Sequence, residues 1–399
     1  MKQQVLKVLG VALVMAQLVA GRADPLDRWQ QRNAFTVSSF VESIIFADGQ
    51  FLALGERAVA TSPDGTNWTT YNCGPVDTAG TTYGLGSVAY GNGTFVAVGD
   101  GQTPGSDGSC GVVFTSTDGV NWAPHIAPLY LAGFNNVVFG NGMFVAPCLA
   151  SDPTAGTYIV TSSDGIQWTP VLNTTAEEGT LSYANGRFFL PPGFGNWLGE
   201  KFLTSTDGIH WDTEKEDTEF GHSGVVYANG TFVLVADREI LASRDGLTWT
   251  NQLNDLNISL DSVSYGGGML VAVGDDGLIL SSPDGQKWTR RASGTSETLL
   301  QVTYGNGTFV TVGEGGTILQ SGQLAGTLLT LGPVTPLANG TVAVTVNGVL
   351  GDTWQIQASA NLVDWAPLTS VTITNVPMQF LDQGATNLNR RFYRGFNPD

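Results

Sequence analysis

The 399-residue chain is poor in charge, above all in positive charge. Only 13 % of its residues are charged, and 17 lysines and arginines face 35 aspartates and glutamates, for a formal charge of −18. A surface of that sign repels the phosphates of nucleic acids and the headgroups of anionic membranes. The sequence therefore predicts no nucleic-acid partner and no attachment to such membranes.

Cysteine and histidine are also scarce, at three residues each. Cys73, Cys110 and Cys148 have neither the spacing nor the histidine neighbours of a zinc site. We expect a Cys73–Cys110 disulfide that ties down a long loop. The chain also lacks G-x-S-x-G, a P-loop and H-E-x-x-H, so it carries none of these catalytic motifs. No cofactor and no metal are predicted.

Long apolar runs and helical periodicity are missing after residue 23. Before it, Lys2 and Lys7 accompany an apolar run over residues 8–20, and small residues at 21 and 23 fit a cut after Ala23. Residues 1–23 are predicted to be a secretory signal, with an uncleaved membrane anchor as the alternative. Cleavage removes three positive charges and no acid, which takes the formal charge from −18 to −21. We expect a secreted or cell-envelope protein without a further transmembrane segment.

Glycine is abundant, at 52 residues, and much of it belongs to one repeated turn. The pattern S-x-D-G-x-x-W occurs six times, from Ser62 to Trp288. In such a turn the carboxylate can accept bonds from nearby backbone N–H groups, and glycine adopts a positive φ. Six copies spread along the chain cannot converge on one ligand, so we interpret the aspartates as structural. They are Asp64, Asp118, Asp164, Asp207, Asp245 and Asp284.

A second unit precedes each of these turns and occurs seven times. Alternating apolar residues flank Asn-Gly or a similar pair, as in SVAYGNGTFVAVG over residues 87–99. This is the strongest short signal for a β-hairpin. Each repeat of about 40 residues then contains four antiparallel strands, the pattern of a propeller blade. We predict an all-β chain with a seven-bladed β-propeller over residues 24–323.

The seventh repeat lacks its own D-G-x-x-W strand. Its third strand, over residues 317–321, is followed by Gly322 without the motif. The missing strand is predicted around Trp29, near the N-terminus of the mature chain. Pairing of this strand with the last blade closes the ring and leaves no open sheet edge.

The S-x-D-G-x-x-W pattern resembles the Asp-box (BNR) repeat of sialidases, S-x-D-x-G-x-x-W, with one residue fewer between Asp and Gly. The chain also looks like the wider group of such propellers, which includes the photosystem II assembly factor type and xyloglucan-degrading enzymes. The resemblance covers the predicted propeller and implies that fold. Sialidases use an arginine triad, with an early R-I-P, and this sequence contains no R-I-P. Sialidase chemistry therefore does not follow from the resemblance.

Residues 324–399 have a different character, because the repeated turn stops. Strand-like runs at 341–346, 354–359, 371–374, 378–381 and 391–394 predict a small β-sandwich. The stretches WQIQASANLVDWAPL and RRFYRGF are similar to a C-terminal module of large secreted proteins of Verrucomicrobia and related bacteria. This resemblance implies a bacterial, extracytoplasmic protein, and a module for adhesion, surface display or sorting.

Propeller geometry sorts the loops between two faces. The turns after first and third strands share one face, and here they are all short and of N-G or D-G type. The insertions lie on the opposite, loop-rich face, chiefly in blades 1 to 4, where variable loops on a rigid scaffold usually bind ligands. They span residues 72–84, 100–111, 124–133, 147–156, 173–179, 191–200 and 212–222.

The candidate binding residues of the loop-rich face are mostly aromatic rings, which suit stacking on sugars or contact with proteins. The alternative is that these rings pack the loops onto the propeller rim. The predicted binding residues are Tyr83, Asp100, Tyr130, Phe134, Phe194, Trp197, Phe220 and His222.

Acids also recur directly after the second strand of five blades. They would form an acidic ring that binds a cation such as Ca²⁺ or supplies paired carboxylates for glycoside hydrolysis. The alternative is that they are ordinary turn residues. These acids are Glu56, Asp100, Asp237, Asp275 and Glu314.

Taken together, these patterns predict a monomeric, secreted propeller that binds a glycan or protein partner through its loop-rich face without catalysis. The alternative function is a glycoside hydrolase, sialidase-like or polysaccharide-degrading, that uses carboxylates of this face. A role as a scaffold or assembly factor is the third hypothesis, by analogy with the fold alone.

Overall fold

In the computed structural model, the regular secondary structure of the described residues is almost entirely antiparallel β-strand. In the described ranges the helical segments are two three-residue 3-10 turns, Pro25–Asp27 and Asp275–Gly277. No helix in these ranges is long and apolar enough to cross a membrane. The predicted signal over residues 1–23 lies outside these ranges. The structure describes residues 24–35, 40–73, 82–102, 109–127, 131–134, 136–151, 156–174, 179–191, 202–214, 222–253, 256–324, 330–337, 341–347, 353–360, 365–372, 378–382 and 391–396.

The described residues fall into two compact units, of which Leu26–Gly322 is the larger and the other contains Gln323–Asp399. The larger unit holds the hairpin repeats, which we number 1 to 7 along the chain. The strands of repeat 1 are Val41–Ala47, Gln50–Gly55, Ala58–Ser62 and Thr69–Asn72. Those of repeat 2 are Thr82–Gly91, Thr94–Gln102, Ser109–Ser116 and Ala123–Ile126. Those of repeat 3 are Val138–Gly140, Met143–Ala150, Thr157–Ser162 and Thr169–Thr174.

Repeats 4 to 7 follow the same order. The strands of repeat 4 are Ser182–Ala184, Arg187–Leu190, Phe202–Ser205 and Asp212–Glu214. Those of repeat 5 are His222–Ala228, Thr231–Ala236, Ile240–Ser243 and Thr250–Leu253. Those of repeat 6 are Leu260–Gly266, Met269–Gly274, Ile279–Ser282 and Thr289–Arg291. Repeat 7 supplies Leu299–Gly305, Thr308–Gly313 and Ile318–Ser321.

The fourth strand of repeat 7 comes from the N-terminal end of the unit, as predicted. Trp29–Arg32 pairs antiparallel with Ile318–Ser321, in the register Trp29 to Ser321 and Arg32 to Ile318. The Arg32 side chain also donates a hydrogen bond to Gln320 at 2.9 Å. Sequence-distant segments therefore complete one four-stranded sheet.

Repeats 2 and 3 depart from the predicted pattern of separate sheets. Repeats 1, 4, 5, 6 and 7 each form a four-stranded sheet, whereas repeats 2 and 3 share one nine-stranded sheet. The link is an extra strand, Leu131–Phe134, which pairs with Asp100 of repeat 2 and with Cys148–Ala150 of repeat 3. Part of the segment predicted as the loop over residues 124–133 is therefore a strand.

The first strands of neighbouring repeats lie against each other in cyclic order. Each contacts the first strands of the repeats before and after it, and Leu299–Gly305 of repeat 7 contacts Val41–Ala47 of repeat 1. Residues in or directly before all seven first strands line one cavity of about 590 Å³, which we call the central cavity.

The turns between first and second strands have the backbone expected for Asn-Gly hairpins. Asn92 and Gly93 have φ of 49° and 75°, a left-handed pair that fits the two-residue turn of a right-twisted hairpin. The Asn92 side chain also donates to the carbonyl oxygens of Gly142 and Ser163 in repeat 3, at 3.2 and 3.1 Å. Asn141, Asn229 and Asn306 reach the following repeat in the same way. These turns therefore join neighbouring repeats.

Aromatic residues near the ends of first strands fill the seams between repeats. A Cβ atom on Gly305 would lie 2.1 Å from the Phe46 ring, and one on Gly91 would lie 2.1 Å from the Phe139 ring. These distances are far below van der Waals contact, so only glycine admits the neighbouring ring at these positions. Core clusters likewise combine two repeats, as Leu52 and Leu54 do with Phe95 and Phe114.

The smaller unit contains two three-stranded antiparallel sheets with a shared apolar core around Val346, Trp354, Ile356 and Val371. Asp382 is buried and accepts a hydrogen bond from the Tyr393 hydroxyl at 2.9 Å, and Arg391 Nε lies 2.6 Å from its carboxylate. Residues of the RRFYRGF stretch thus hold a buried acid. The strands are Thr330–Pro336, Val342–Asn347, Thr353–Ser359, Ala366–Thr372, Met378–Asp382 and Phe392–Phe396, of which the first was not predicted.

Candidate functional site

The six S-x-D-G-x-x-W turns are closed by their own hydrogen bonds. In repeat 2, Asp118 accepts bonds from the N–H groups of Val120 and Asn121, both at 2.8 Å. Ser116 donates its hydroxyl hydrogen to Asp118 and accepts the Gly119 N–H, both at 2.9 Å. The bonds from Asn121 and Val120 hold the pKa of Asp118 well below its usual range. The carboxylate is therefore committed to its own turn.

The other five copies have the same geometry. In each, the aspartate accepts two backbone N–H bonds and the serine hydroxyl accepts the glycine N–H. The interpretation of these aspartates as turn residues agrees with these contacts.

Ser116→Ala should lower the free energy of unfolding by about 1–3 kcal/mol, because the buried Gly119 N–H loses its acceptor. Thr117→Ala, at the exposed neighbouring position, is the control and should change stability by less than about 0.5 kcal/mol. Urea titration followed by tryptophan fluorescence measures both. Equal effects of the two substitutions would contradict the role given to the serine hydroxyl.

The predicted aromatic site is not present at the surface in the described part of the chain. Tyr83 is 8 % exposed and packs on Phe114, and Phe134 is 5 % exposed and packs on Trp168. Both rings fill seams of the core, so neither presents the exposed face that the predicted binding role requires. Tyr130, Phe194, Trp197 and Phe220 lie outside the described residues. His222 begins the first strand of repeat 5.

Asp100 is exposed, as predicted for a binding residue, but it sits in a strand rather than in a loop. Its strand partners are Gly84 and Gly133, and a Cβ atom on Gly133 would lie 2.9 Å from the Cβ of Asp100. The glycines leave room for this side chain between two strands.

The predicted Cys73–Cys110 disulfide is not formed, because all three cysteines are thiols in the structure. Cys110 is paired with Gly101 in the sheet of repeat 2 and donates its S–H to the Gly101 carbonyl oxygen at 3.5 Å. Cys73 lies in an apolar cluster against which Cys110 also packs, and burial raises the pKa of the Cys73 thiol to about 12. Cys148 is a buried thiol in repeat 3, where burial likewise raises the pKa to about 12.

The acids that follow second strands help to connect the repeats. The backbone N–H of Asp275 donates to the Ser259 carbonyl oxygen at 3.2 Å, and Asp275 Oδ1 accepts the Thr298 hydroxyl at 3.2 Å. Asp237 accepts a hydrogen bond from the Ser259 hydroxyl and lies 3.6 Å from Arg238. These carboxylates hold the chain segment that enters the next repeat, which agrees in part with their interpretation as turn residues.

Two further acids belong to the same region and escaped the sequence analysis. In five repeats the pairing of first and second strands shifts by one residue at the same place. Such a β-bulge re-aims the side chain of the extra residue. The bulge residues are Glu42, Gly86, Ser223, Asp261 and Leu300. A charged residue that interrupts the apolar alternation four positions before the strand-end aromatic was the available signal.

The bulges lie at the loop-rich end of the central cavity. First strands end at the N-G turns on the opposite face, so the bulge near each strand's start lies at the other end. Ser223 lines the cavity, and Asp261 directly precedes Ser262, which also lines it. The acids after second strands reach this same end.

Two of these carboxylates have a pKa raised by burial and by the negative charges of their neighbours. Burial, followed by the negative charges of Asp275, Asp237 and Glu314, raises the pKa of Asp261 to about 7. Burial, followed by the charges of Glu314 and Glu56, also raises the pKa of Glu42. Glu314 acts on both groups and thereby links six acids from repeats 5, 6, 7 and 1. We call them the acidic mouth: Glu42, Glu56, Asp237, Asp261, Asp275 and Glu314.

Several buried polar atoms at this end have no hydrogen-bond partner among the described residues. They include Asp261 Oδ2 and the hydroxyl oxygens of Ser43 and Ser223. Ser43 is 2 % exposed and Ser223 is 6 % exposed. Unpartnered buried oxygen atoms are costly and are normally bonded to water or a ligand. The described His, Cys, Asp and Glu side chains form no group of three that could hold a metal ion. The site is therefore rich in acceptors but lacks metal geometry.

Comparison with known proteins gives the fold. No protein-family model matches the chain, and no curated protein sequence matches it. Among solved structures, YCF48 from Cyanidioschyzon merolae is similar, with 17 % identity, a TM-score of 0.56, and coverage of 74 % of this chain and 98 % of that chain. YCF48 bound to D1 peptide gives 16 % identity, a TM-score of 0.57, and coverage of 73 % and 94 %.

A catalytically inactive virginiamycin B lyase from Staphylococcus aureus, with quinupristin, is also similar. Its identity is 12 %, its TM-score 0.56, and the match covers 74 % of this chain and 99 % of that chain. Identities this low carry the fold and no activity. The larger unit is a β-propeller.

Proposed function

We propose that the chain is a non-catalytic binding scaffold that takes a protein partner on its loop-rich face. The supporting observation is the difference between the two faces. On one face, the turn aspartates and asparagines are used for turn closure and for contacts between repeats. On the other, the acidic mouth presents carboxylates whose charges repel one another.

The architecture that we propose is a seven-bladed propeller of the Asp-box type, with a C-terminal β-sandwich. The cyclic order of first strands and the pairing of Trp29–Arg32 with Ile318–Ser321 support the ring. Two three-stranded sheets around one core support the sandwich. The signal-like composition of residues 1–23 and the similarity of the C-terminal stretches to modules of secreted bacterial proteins support an extracytoplasmic protein.

A protein partner fits better than a glycan. Sugar sites use exposed aromatic faces for stacking, whereas Tyr83 and Phe134 are buried. YCF48, a propeller of similar fold, has been solved with a D1 peptide, so peptide binding is within the reach of this scaffold. Charge complementarity would set specificity and association rate at an acidic surface.

Site-specific photocrosslinking tests which face carries the partner. A photoreactive amino acid replaces exposed Glu56 on the loop-rich face or, as the control in the same repeat, exposed Thr66 in the opposite turn. Exposure to native envelope and secreted fractions should give discrete protein adducts from position 56 and none from position 66. Adducts from position 66 alone, or the same adducts from both, would overturn the assignment.

Glycoside hydrolysis is the second candidate, favoured by one observation. Asp261, with a pKa raised to about 7, could serve as a general acid beside a second acid such as Asp275. A panel of chromogenic glycosides and polysaccharides tests it. Turnover that disappears in Asp261→Asn but persists in the exposed-turn control Asp48→Asn would favour the hydrolase over the scaffold.

A further inference from the structure

We propose that the acidic mouth receives a single basic side chain, lysine or arginine, that the partner inserts into the loop-rich end of the central cavity. The inference rests on the proposed binding role of the loop-rich face and names the chemistry of the contact. It concerns the part of the face formed by repeats 5, 6, 7 and 1, and overlaps only at repeat 1 with the insertions, which are concentrated in repeats 1 to 4.

The first reason is charge. The negative charges of Asp275, Asp237 and Glu314 act on Asp261. Among the described cations, Arg238 contacts one of these acids. It lies 3.6 Å from Asp237, and its side chain is 58 % exposed. One exposed arginine leaves a negative surplus among these four acids. A partner cation would remove this repulsion on binding, which favours a bound state over the free one.

The second reason is the set of unpartnered acceptors. The Ser223 hydroxyl lines the central cavity, its residue is 94 % buried, and no described group bonds it. Ser223 occupies the same bulge position in repeat 5 that Asp261 occupies in repeat 6, and Asp261 Oδ2 is also unbonded. A hydroxyl oxygen and a carboxylate oxygen on neighbouring first strands suit the multiple N–H donors of an ammonium or guanidinium group.

The third reason is space. At the bulge of repeat 2, Gly86 has nothing within 4 Å of the position that a Cβ would take, and at repeat 5 the Cβ position of Gly224 meets Val263 only at 4.0 Å. There is therefore open space beside the first strands of repeats 2 and 5. A metal ion would need three or more converging ligands, which the described acids do not supply. An organic cation imposes no such geometry.

Titration calorimetry with a defined probe tests the proposal. The probe is the blocked peptide (Lys-Gly)3, compared with (Glu-Gly)3, at low salt and at physiological salt. The wild-type protein should bind the lysine peptide and not the glutamate peptide. The double variant Asp261→Asn/Glu314→Gln should bind it at least tenfold more weakly, because it loses the buried acceptor and its charged neighbour.

The control carries the same charge change elsewhere. Asp48→Asn/Asp212→Asn likewise removes two acids, but both of these are exposed and lie outside the acidic mouth. This variant should bind the lysine peptide as the wild type does. Equal weakening in both double variants would mean diffuse attraction to an acidic protein and would overturn the proposal. Absence of saturable binding would mean that water alone fills the site, and competition by Ca²⁺ at micromolar concentration would mean a metal site; either overturns it.

The outcome separates this inference from the proposed function. If photocrosslinking at position 56 captures a partner and the Asp261→Asn/Glu314→Gln variant captures it equally well, the scaffold role stands and the basic side chain is excluded. If neither position captures a partner, the scaffold role itself fails. Thermal melting of each variant confirms that loss of binding is not loss of folding.

Discussion

Asp261→Asn should make the protein more stable at pH 8 and remove most of the decline in stability between pH 4 and pH 7. The pKa of Asp261 rises from the usual 3.8 to about 7 in the folded state, first through burial and then through Asp275, Asp237 and Glu314. An acid whose pKa is raised in the folded state binds its proton more tightly there than in the unfolded chain. Stability is therefore lost as the pH rises from the pKa of the unfolded state to the pKa of the folded state. Asparagine has no proton to lose.

The expected size follows from the shift. A full shift of about 3 units corresponds to about 4 kcal/mol at 1.4 kcal/mol per unit, and partial exposure of the site reduces this to about 1–3 kcal/mol. Thermal melting at pH 4, 6 and 8 measures it. At pH 4 the variant and the wild type should melt alike, and at pH 8 the variant should melt several degrees higher.

The control for this prediction is Asp48→Asn, at an exposed turn where φ is 49° and asparagine is well tolerated. It should change the melting temperature equally at all three pH values. A wild-type protein with constant stability from pH 4 to pH 8, or an Asp261→Asn variant less stable than the wild type at pH 8, would show that the pKa of Asp261 is not raised by folding.

Gly313→Ala should lower the free energy of unfolding by about 3 kcal/mol or more, or prevent folding. Gly313 ends the second strand of repeat 7 directly before Glu314, and a Cβ there would lie 1.9 Å from the Thr298 carbonyl oxygen. The clash is with backbone, so no side-chain rotation can relieve it, and the chain entering repeat 7 must move. We expect a fall in melting temperature of about 6 °C or more.

Gly86→Ala is the matched control, because nothing lies within 4 Å of its Cβ position. It should leave the melting temperature within about 1–2 °C of the wild type. If Gly313→Ala melts like Gly86→Ala, the close approach between the second strand and the chain before the first strand is not a constraint. Gly99 and Gly274 have the same close contacts, to Gly84 and Ser259, and should behave as Gly313 does.

Local patterns predicted much of the fold. The N-G and D-G turns appear as expected, because positive φ and short-range hydrogen bonds are set by a few adjacent residues. The role of Trp29 was also predictable, since one repeat lacked a strand that another stretch could supply. The strand Leu131–Phe134, which joins repeats 2 and 3, was not predicted, because it lies among loop residues and pairs with two distant strands.

The site was harder to predict than the fold. Tyr83 and Phe134 looked like exposed rings because they follow loops, but loop position does not decide burial, and seams between sheets accept large rings. Asp261 and Glu42 were missed because their orientation depends on a register shift between paired strands. A charged residue four positions before the strand-end aromatic was the available signal, but it does not by itself specify a register shift. The register shift becomes visible only when both partners are known.

The pairing of Trp29–Arg32 with Ile318–Ser321 has a consequence for the order of folding. The first of these strands leaves the ribosome, and any export channel, before the other six repeats, yet its partner is among the last residues of the larger unit. Until Ser321 emerges, the growing array carries two unpaired β edges, which are sites for aggregation. Contacts separated by 288 residues, such as Arg32 to Gln320, also favour slow folding. Pairing of these two strands is thus a late step in the folding of the larger unit.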